Sequence, residues 1–215
     1  MTKKQGIIYV PRTEAKFVIP EVVCRGKTPT YELSEEMSPP MNMKQLGRYN
    51  GEQRKVGNPY PASADEVRAI MSVVANRKGS QAEKVRDFIR KNIWANTATV
   101  VGYAPLGEID EVIRDYGAPD QFSLRESIVG PDRFIESADS GLSEAILGEG
   151  NINVINSIAQ KMYGTNFYIW RLNSKPLFQK TKGVVRFGAN SGRRGLGCDG
   201  DPRGKCPAFR VLREE

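Results

Sequence analysis

Gly188-Ala-Asn-Ser-Gly-Arg-Arg-Gly-Leu-Gly-Cys-Asp-Gly-Asp-Pro-Arg-Gly-Lys-Cys206 holds six glycines, four cations and two cysteines. Within it, Gly195-Leu-Gly-Cys-Asp-Gly200 matches the dinucleotide pattern GxGxxG letter for letter. That pattern binds pyrophosphate only where its glycines turn a strand into a helix. Here Asp-Pro-Arg-Gly-Lys-Cys-Pro follows, which cannot open a useful helix, so the match is accidental. Gly200-Asp-Pro-Arg-Gly-Lys-Cys206 is one residue short of a phosphate loop and has Cys206 where Ser or Thr would bind magnesium. Asp199-Gly-Asp201 could begin a calcium loop, but its twelfth position is Arg210 instead of a bidentate Glu. The stretch therefore reads as a surface held by a few anchors, Leu196, Cys198, Pro202 and Pro207, between small or polar residues.

The flanks supply its context. Asn166–Leu172, Val184–Phe187 and Ala208–Arg213 read as strands rich in β-branched and aromatic residues, so the glycine-rich stretch connects two of them. The middle of the chain reads as helical. Ser63-Ala-Asp-Glu66 and Ser80-Gln-Ala-Glu83 are capping-box patterns, each followed by apolar residues at helical spacing. Shorter helices are expected over Glu108–Tyr116, over 131–147 with a break at Ser140-Gly141, and over Ile152–Met162 ending at Gly164. Near the N-terminus, 6–10 and 16–23 read as short strands, the second limited by Pro20. Residues 25–62 read as a long irregular arm that could pack against a partner subunit. The expected organisation is α+β, with N-terminal strands and arm over 1–62 and a ligand-binding domain over 63–215.

Composition prunes the chemistry. The 215 residues include no histidine, which removes Ser-His-Asp and Cys-His nucleophilic systems and every His-containing metal site. Cys24, Cys198 and Cys206 are too few for a disulfide scaffold; Cys198–Cys206 could bridge, and reduced thiols are the simpler expectation. The carboxylates at Glu108, Asp110, Glu111, Asp132, Glu136 and Asp139 read as solvated, and no cofactor or metal is expected. Residues 171–215 carry eleven Lys plus Arg and four Asp plus Glu, so the whole net charge of +7 lies there. A localised basic surface points to an anionic partner or to solubility. No signal peptide or membrane segment is read, which gives a cytoplasmic or virion-associated expectation.

Tyr168-Ile-Trp-Arg-Leu-Asn-Ser-Lys-Pro176, Val184-Val-Arg-Phe187, Ser191, Leu196, Cys198, Pro202, Pro207-Ala208 and Val211 together resemble the C-terminal end of variable proteins from diversity-generating retroelements. The resemblance covers roughly the last 50 residues, is weaker across 107–165 and is absent before that. It implies a C-type lectin-like fold of the formylglycine-generating-enzyme type, whose ligand-binding face is rewritten by error-prone reverse transcription at template adenines. Asn codons varied at their first two bases cannot give Lys, Glu, Gln, Met or Trp, and 188–206 contains one Lys and none of the others. The resemblance implies variable ligand-binding positions at Gly188, Asn190, Gly192, Arg193, Arg194, Gly195, Gly197, Asp199, Gly200, Asp201, Arg203, Gly204 and Cys206, within a variable region of about 186–211. Lys205 falls outside the codon set and is expected to be fixed.

Three functional expectations result. The first is a non-enzymatic protein that presents 188–206 to a macromolecular ligand, a protein above all, with Arg193, Arg194 and Arg203 as its strongest contacts. The second is a nucleic-acid-binding protein using the basic C-terminal 45 residues, against which the stretch offers no aromatic interleaving for base stacking. The third is an enzyme with Cys198 and Cys206 as a thiol pair.

Overall fold

The computed structural model describes residues 8–10, for which only the strand course is given, and 16–214. Gly6, Ile7 and the N-terminal leader question lie outside them. The chain is α+β, with two sheets and five α-helices among the described residues. The smaller sheet runs β1 (Ile8–Val10), β2 (Lys16–Ile19), β3 (Thr30–Ser34), β12 (Arg210–Glu214), β4 (Tyr60–Pro61), each neighbouring pair antiparallel. Pro20 does end β2, since it has no N–H to give the ladder. Because β12 lies between β3 and β4, the chain's last strand is built into its first sheet. Phe17, Ile19, Tyr31 and Leu33 share one core with Ile70, Val185 and Val211, so the division at 62/63 separates no second core.

The larger sheet has the order β7 (Phe122–Arg125), β6 (Glu111–Arg114), β5 (Ala95–Tyr103), β10 (Thr181–Asn190), β11 (Arg193–Gly200), β9 (Phe167–Trp170), β8 (Arg133–Phe134). Nothing in the periodicity marks Ala95–Tyr103, yet it is a central strand. All nine of its residues are buried, and a strand covered on both faces has no apolar-polar alternation to read.

Residues 25–62 hold a helix, α1 (Met43–Lys55), in place of an irregular arm. Asn42 and Gln45 form its capping box, a pattern obscured by the surrounding Pro, Gly and Met. The segment packs within its own chain: Leu46 joins Met41, Val184 and Ala208 in a small core beneath α1. Helix α2 (Ala64–Asn76) starts at the predicted Ser63–Glu66 capping box. Helix α3 (Ser80–Lys91) has Gly79 at its N-cap instead of Ser80, without a side-chain cap. The helix expected over Glu108–Tyr116 is strand β6, whose Val112 and Ile113 pair with Val101 and Val100. Ser140 opens α4 (Ser140–Leu147) where an interruption was expected, after β8 and a 3-10 turn over Ser137–Asp139. Helix α5 (Ile152–Tyr163) ends at Gly164, which takes the left-handed C-cap conformation at φ 73°.

Asp110 and Asp139 are buried, correcting their reading as solvated. Asp110 accepts the backbone N–H groups of Ala104 and Ile128 and pairs with Lys175, so it closes loops. Asp139 accepts from Arg133 and Arg171 at 3.0 and 3.2 Å.

The largest buried polar cluster ties the two sheets together. Arg25 bonds Asp65 at 2.6 Å and Asp115 at 2.5 Å; Arg54 bonds Asp115 at 2.7 Å; Arg114 bonds Asp65 at 3.2 Å. Burial opposes ionisation of Asp65, but the guanidinium groups of Arg25 and Arg114 hold its carboxyl below the ordinary carboxylate value. The neighbouring Glu66 is pushed up, by burial and by the Asp115 charge. It accepts the hydroxyls of Tyr31 and Tyr60, both at 3.1 Å.

Candidate ligand-binding face

The glycine-rich stretch is not a loop between strands. It forms β11 itself, antiparallel to β10 and parallel to β9. Asn190 and Arg193 face each other across a two-residue turn, Ser191-Gly192. Both turn residues have positive φ, 48° and 79°, the backbone that a tight hairpin of matching twist requires. Sheet pairing on both sides gives this glycine-rich segment a rigid backbone.

Pleating sorts the candidate positions. Phe187, Leu196 and Cys198 point into the main core, and the Cys198 carbonyl accepts the buried Tyr103 hydroxyl at 3.0 Å. On the opposite face, Asn190, Arg193 and Asp199 are exposed, as are Gly192 at the turn and Asp201 and Arg203 after the strand. Arg193 lies 4.7 Å over the Tyr168 ring. Arg194, the next residue, turns to the other side and lines a separate cleft with Tyr163 and Gly164. Asp201 accepts the Arg203 backbone N–H at 2.9 Å, and that bond, with the guanidinium groups of Arg203 and Arg186, holds its carboxyl below the ordinary range. Gly204 closes this turn by donating to the Asp201 carbonyl.

Three candidate positions do not display side chains on this backbone. A Cβ on Gly195 would lie 1.6 Å from the Tyr168 carbonyl oxygen, and one on Gly200 would lie 2.5 Å from the Val184 carbonyl oxygen. Both are sites of close strand approach, where only glycine fits. Cys206 exchanges backbone hydrogen bonds with Met41 and is half-buried, so it anchors the segment leading into α1. Gly188 and Gly197 differ from these: a Cβ there would meet side-chain atoms only, 3.3 Å from Trp94 and 3.4 Å from Arg186.

Those two glycines floor a groove of about 260 Å³ with Trp94 and Trp170 at its sides. Asn190, Asp199 and Asp201 contribute to it, and so does Arg186. The Arg186 side chain makes no hydrogen bond to any described residue, and its buried Nε has no partner. Behind Trp170 the aromatic contacts continue through the buried Tyr168, 4.9 Å away between ring centres, to the exposed Phe134, a further 5.1 Å. The sequence reading missed Trp94, Arg186 and Phe134 as site residues and took Trp170 as scaffold. No local signal in the sequence marks them: Trp94 precedes β5, Trp170 lies in β9, and only the fold brings the two together, Trp94 with 53% of its surface exposed.

Cys24, Cys198 and Cys206 are all free, and burial pushes the Cys198 thiol well above its ordinary value, which disfavours a reactive thiolate. Among the described residues no cluster of three or more Cys, Asp or Glu is placed to hold a metal ion, and no helix is long and apolar enough to cross a membrane. No family model matches the chain, and neither a curated protein nor a solved structure matches it.

Proposed function

We propose that this chain is a non-enzymatic ligand-binding protein whose β10–β11 face is a diversified surface on a C-type lectin-like scaffold, as the resemblance to retroelement variable proteins implies. The observation that carries the reading is the alternation along β11. Leu196 and Cys198 are buried in the main core, while Arg193 and Asp199 project from the same strand into solvent. A strand paired on both sides keeps its course when its outward side chains change, and that separation is what a variable surface needs. The displayed set is Gly188, Asn190, Gly192, Arg193, Gly197, Asp199, Asp201 and Arg203, without Gly195 and Gly200.

The test replaces Asn190, Arg193, Asp199 and Arg203 with serine together. The melting temperature is expected to move by less than about 4 °C, the span of one kcal/mol or so in a chain this long. Collapse of the fold would sink the display reading. The gene neighbourhood gives an independent check: a near-copy of the 3′ end beside a reverse transcriptase gene, differing at template adenines, is the expected arrangement.

One observation favours a second reading. Trp94 and Trp170 lie beside Arg186, which supplies the stacking platform that the glycine-rich stretch lacks on its own. Affinity for a single-stranded oligonucleotide that falls steeply between two salt concentrations would favour nucleic acid over protein.

A further inference from the structure

We propose that the groove between Trp94 and Trp170 receives a tyrosine side chain from the protein ligand. The proposal rests on the β10–β11 face being a protein-binding face and names the anchor that this face takes. At about 260 Å³ the groove is smaller than the roughly 300–1,000 Å³ usual for whole small-molecule ligands. It has room for one large side chain.

Its lining specifies which one. Trp94 and Trp170 offer flat apolar walls, and Gly188 and Gly197 leave the floor free of side chains. Arg186 brings donors that no described residue accepts, including a buried Nε. The Nε is closed off from an occupant, so an incoming oxygen would meet the outer nitrogens of this guanidinium, in a charge-assisted hydrogen bond. Asp199 and Asp201 add acceptors. The occupant must therefore be a flat ring carrying a group that both accepts and donates.

Phenylalanine satisfies the walls alone. A carboxylate side chain would meet Arg186 but face two carboxylates, and a lysine or arginine would meet those carboxylates but face Arg186. A phenol satisfies all three requirements: its ring lies between the indoles, its oxygen accepts from Arg186 and its proton goes to an aspartate. Tyrosine is also among the commonest interface anchors, because it buries a large rigid ring at small entropic cost and keeps a polar end. The walls and Arg186 lie outside the variable set, whereas the floor glycines and Asp199 lie within it. Diversification would then resize a constant aromatic clamp.

Because both tryptophans of the chain border the groove, indole N–H signals of protein labelled with ¹⁵N-tryptophan report on it without background. The probes are N-acetyl-tyrosinamide, N-acetyl-phenylalaninamide, methyl glucoside and the dinucleotide TpT. Both indole signals should move with tyrosinamide at about tenfold lower concentration than with phenylalaninamide, the effect of one hydrogen bond to a charged donor. Arg186→Met should erase that difference; if that variant does not fold, Gly197→Leu, which fills the groove from its floor, should abolish the response. Equal affinity for the two amides, a stronger response to the glucoside or dinucleotide, or no response up to the solubility limit overturns the proposal. If the amides fail but Trp94→Ala still weakens a protein ligand selected against this face, only the tyrosine anchor falls. If no protein ligand depends on the face, the display reading falls with it.

Discussion

Two regions of this molecule concentrate arginine and aspartate, and they use them in opposite ways. Between α1, α2 and β6, Arg25, Arg54 and Arg114 all reach carboxylates that are themselves fully buried. On the β10–β11 face, Arg186 has no acceptor, Arg193 rests on a tyrosine ring, and Arg203 is almost wholly exposed beside Asp201. The difference is one of desolvation. A buried charge must have its partner or the fold loses several kcal/mol, whereas exposed ones such as Arg193 and Arg203 can be exchanged at little cost; the half-buried Arg186 lies between the two cases. Charge in the first region fixes architecture, and charge in the second is available to a ligand.

The strongest way to break that contrast is at Asp65, which accepts from Arg25, Arg114 and Ser63. Asp65→Ala removes the acceptor that Arg25 and Arg114 share, leaving Arg25 to Asp115 and Arg114 to the Ala145 and Glu144 carbonyls, and is expected to cost about 3 kcal/mol in urea unfolding. The carboxylate also sets a pH dependence. Its folded value lies below its ordinary 3.8, so the folded state binds fewer protons there than the unfolded chain. The stability it lends is complete above about 3.8 and is lost as pH falls through the folded value. Glu66 works in the other direction: its raised value means stability is lost as pH rises through it. Asp65→Asn should therefore flatten the acid limb of a stability–pH curve and, by removing a charge that helps to raise Glu66, shrink the Glu66 contribution as well. An unchanged acid limb would show that the arginines do not hold Asp65 ionised.

The next effect separates two glycines two residues apart. Gly195→Val drives a methyl-bearing carbon into the Tyr168 backbone, which no rotamer change relieves, and is expected to cost about 3 kcal/mol with loss of β9–β11 pairing. Gly197→Val meets only the side chains of Arg186 and Asp199 and should cost about 1 kcal/mol or less. Thermal unfolding of the two variants side by side measures the gap. Similar losses would mean that Gly197 is as structural as Gly195 and does not belong to the displayed set.

That pair also shows where sequence reasoning reached its limit. Local signals with a fixed chemical cause were legible: the Ser63–Glu66 box, the Gly164 C-cap and the apolar face of α5 all appear in the structure. Signals that depend on a distant partner were not. Glu108–Tyr116 reads as a short helix stopped by Gly117 and Pro119, yet Val112 and Ile113 are drawn into the sheet by β5, a strand with no alternation to announce it. Gly195 and Gly197 are indistinguishable as letters, because what separates them is the approach of β9. The outward positions of β11 were named only through the resemblance, which did not separate them from Gly195 and Gly200. The tryptophans that complete the groove come from the residue before β5 and from β9, far away in sequence.

The smallest effect sharpens the contrast most, because it concerns a displayed residue with one contact to the scaffold. Arg193 lies 4.7 Å over the Tyr168 ring and donates to the Tyr168 hydroxyl at 3.4 Å, a long bond. At an exposed site the cation–ring attraction contributes about 0.5–1 kcal/mol, so Arg193→Ala should lower stability by that amount and no more. Arg193→Lys keeps the charge but loses the planar group that stacks, and it should fall between the two. If Arg193→Ala instead costs as much as Gly195→Val, the residue is part of the scaffold, and the displayed surface begins only beyond the hairpin. If it costs about 1 kcal/mol or less while weakening a ligand selected on this face by a larger factor, Arg193 belongs to the ligand more than to the fold.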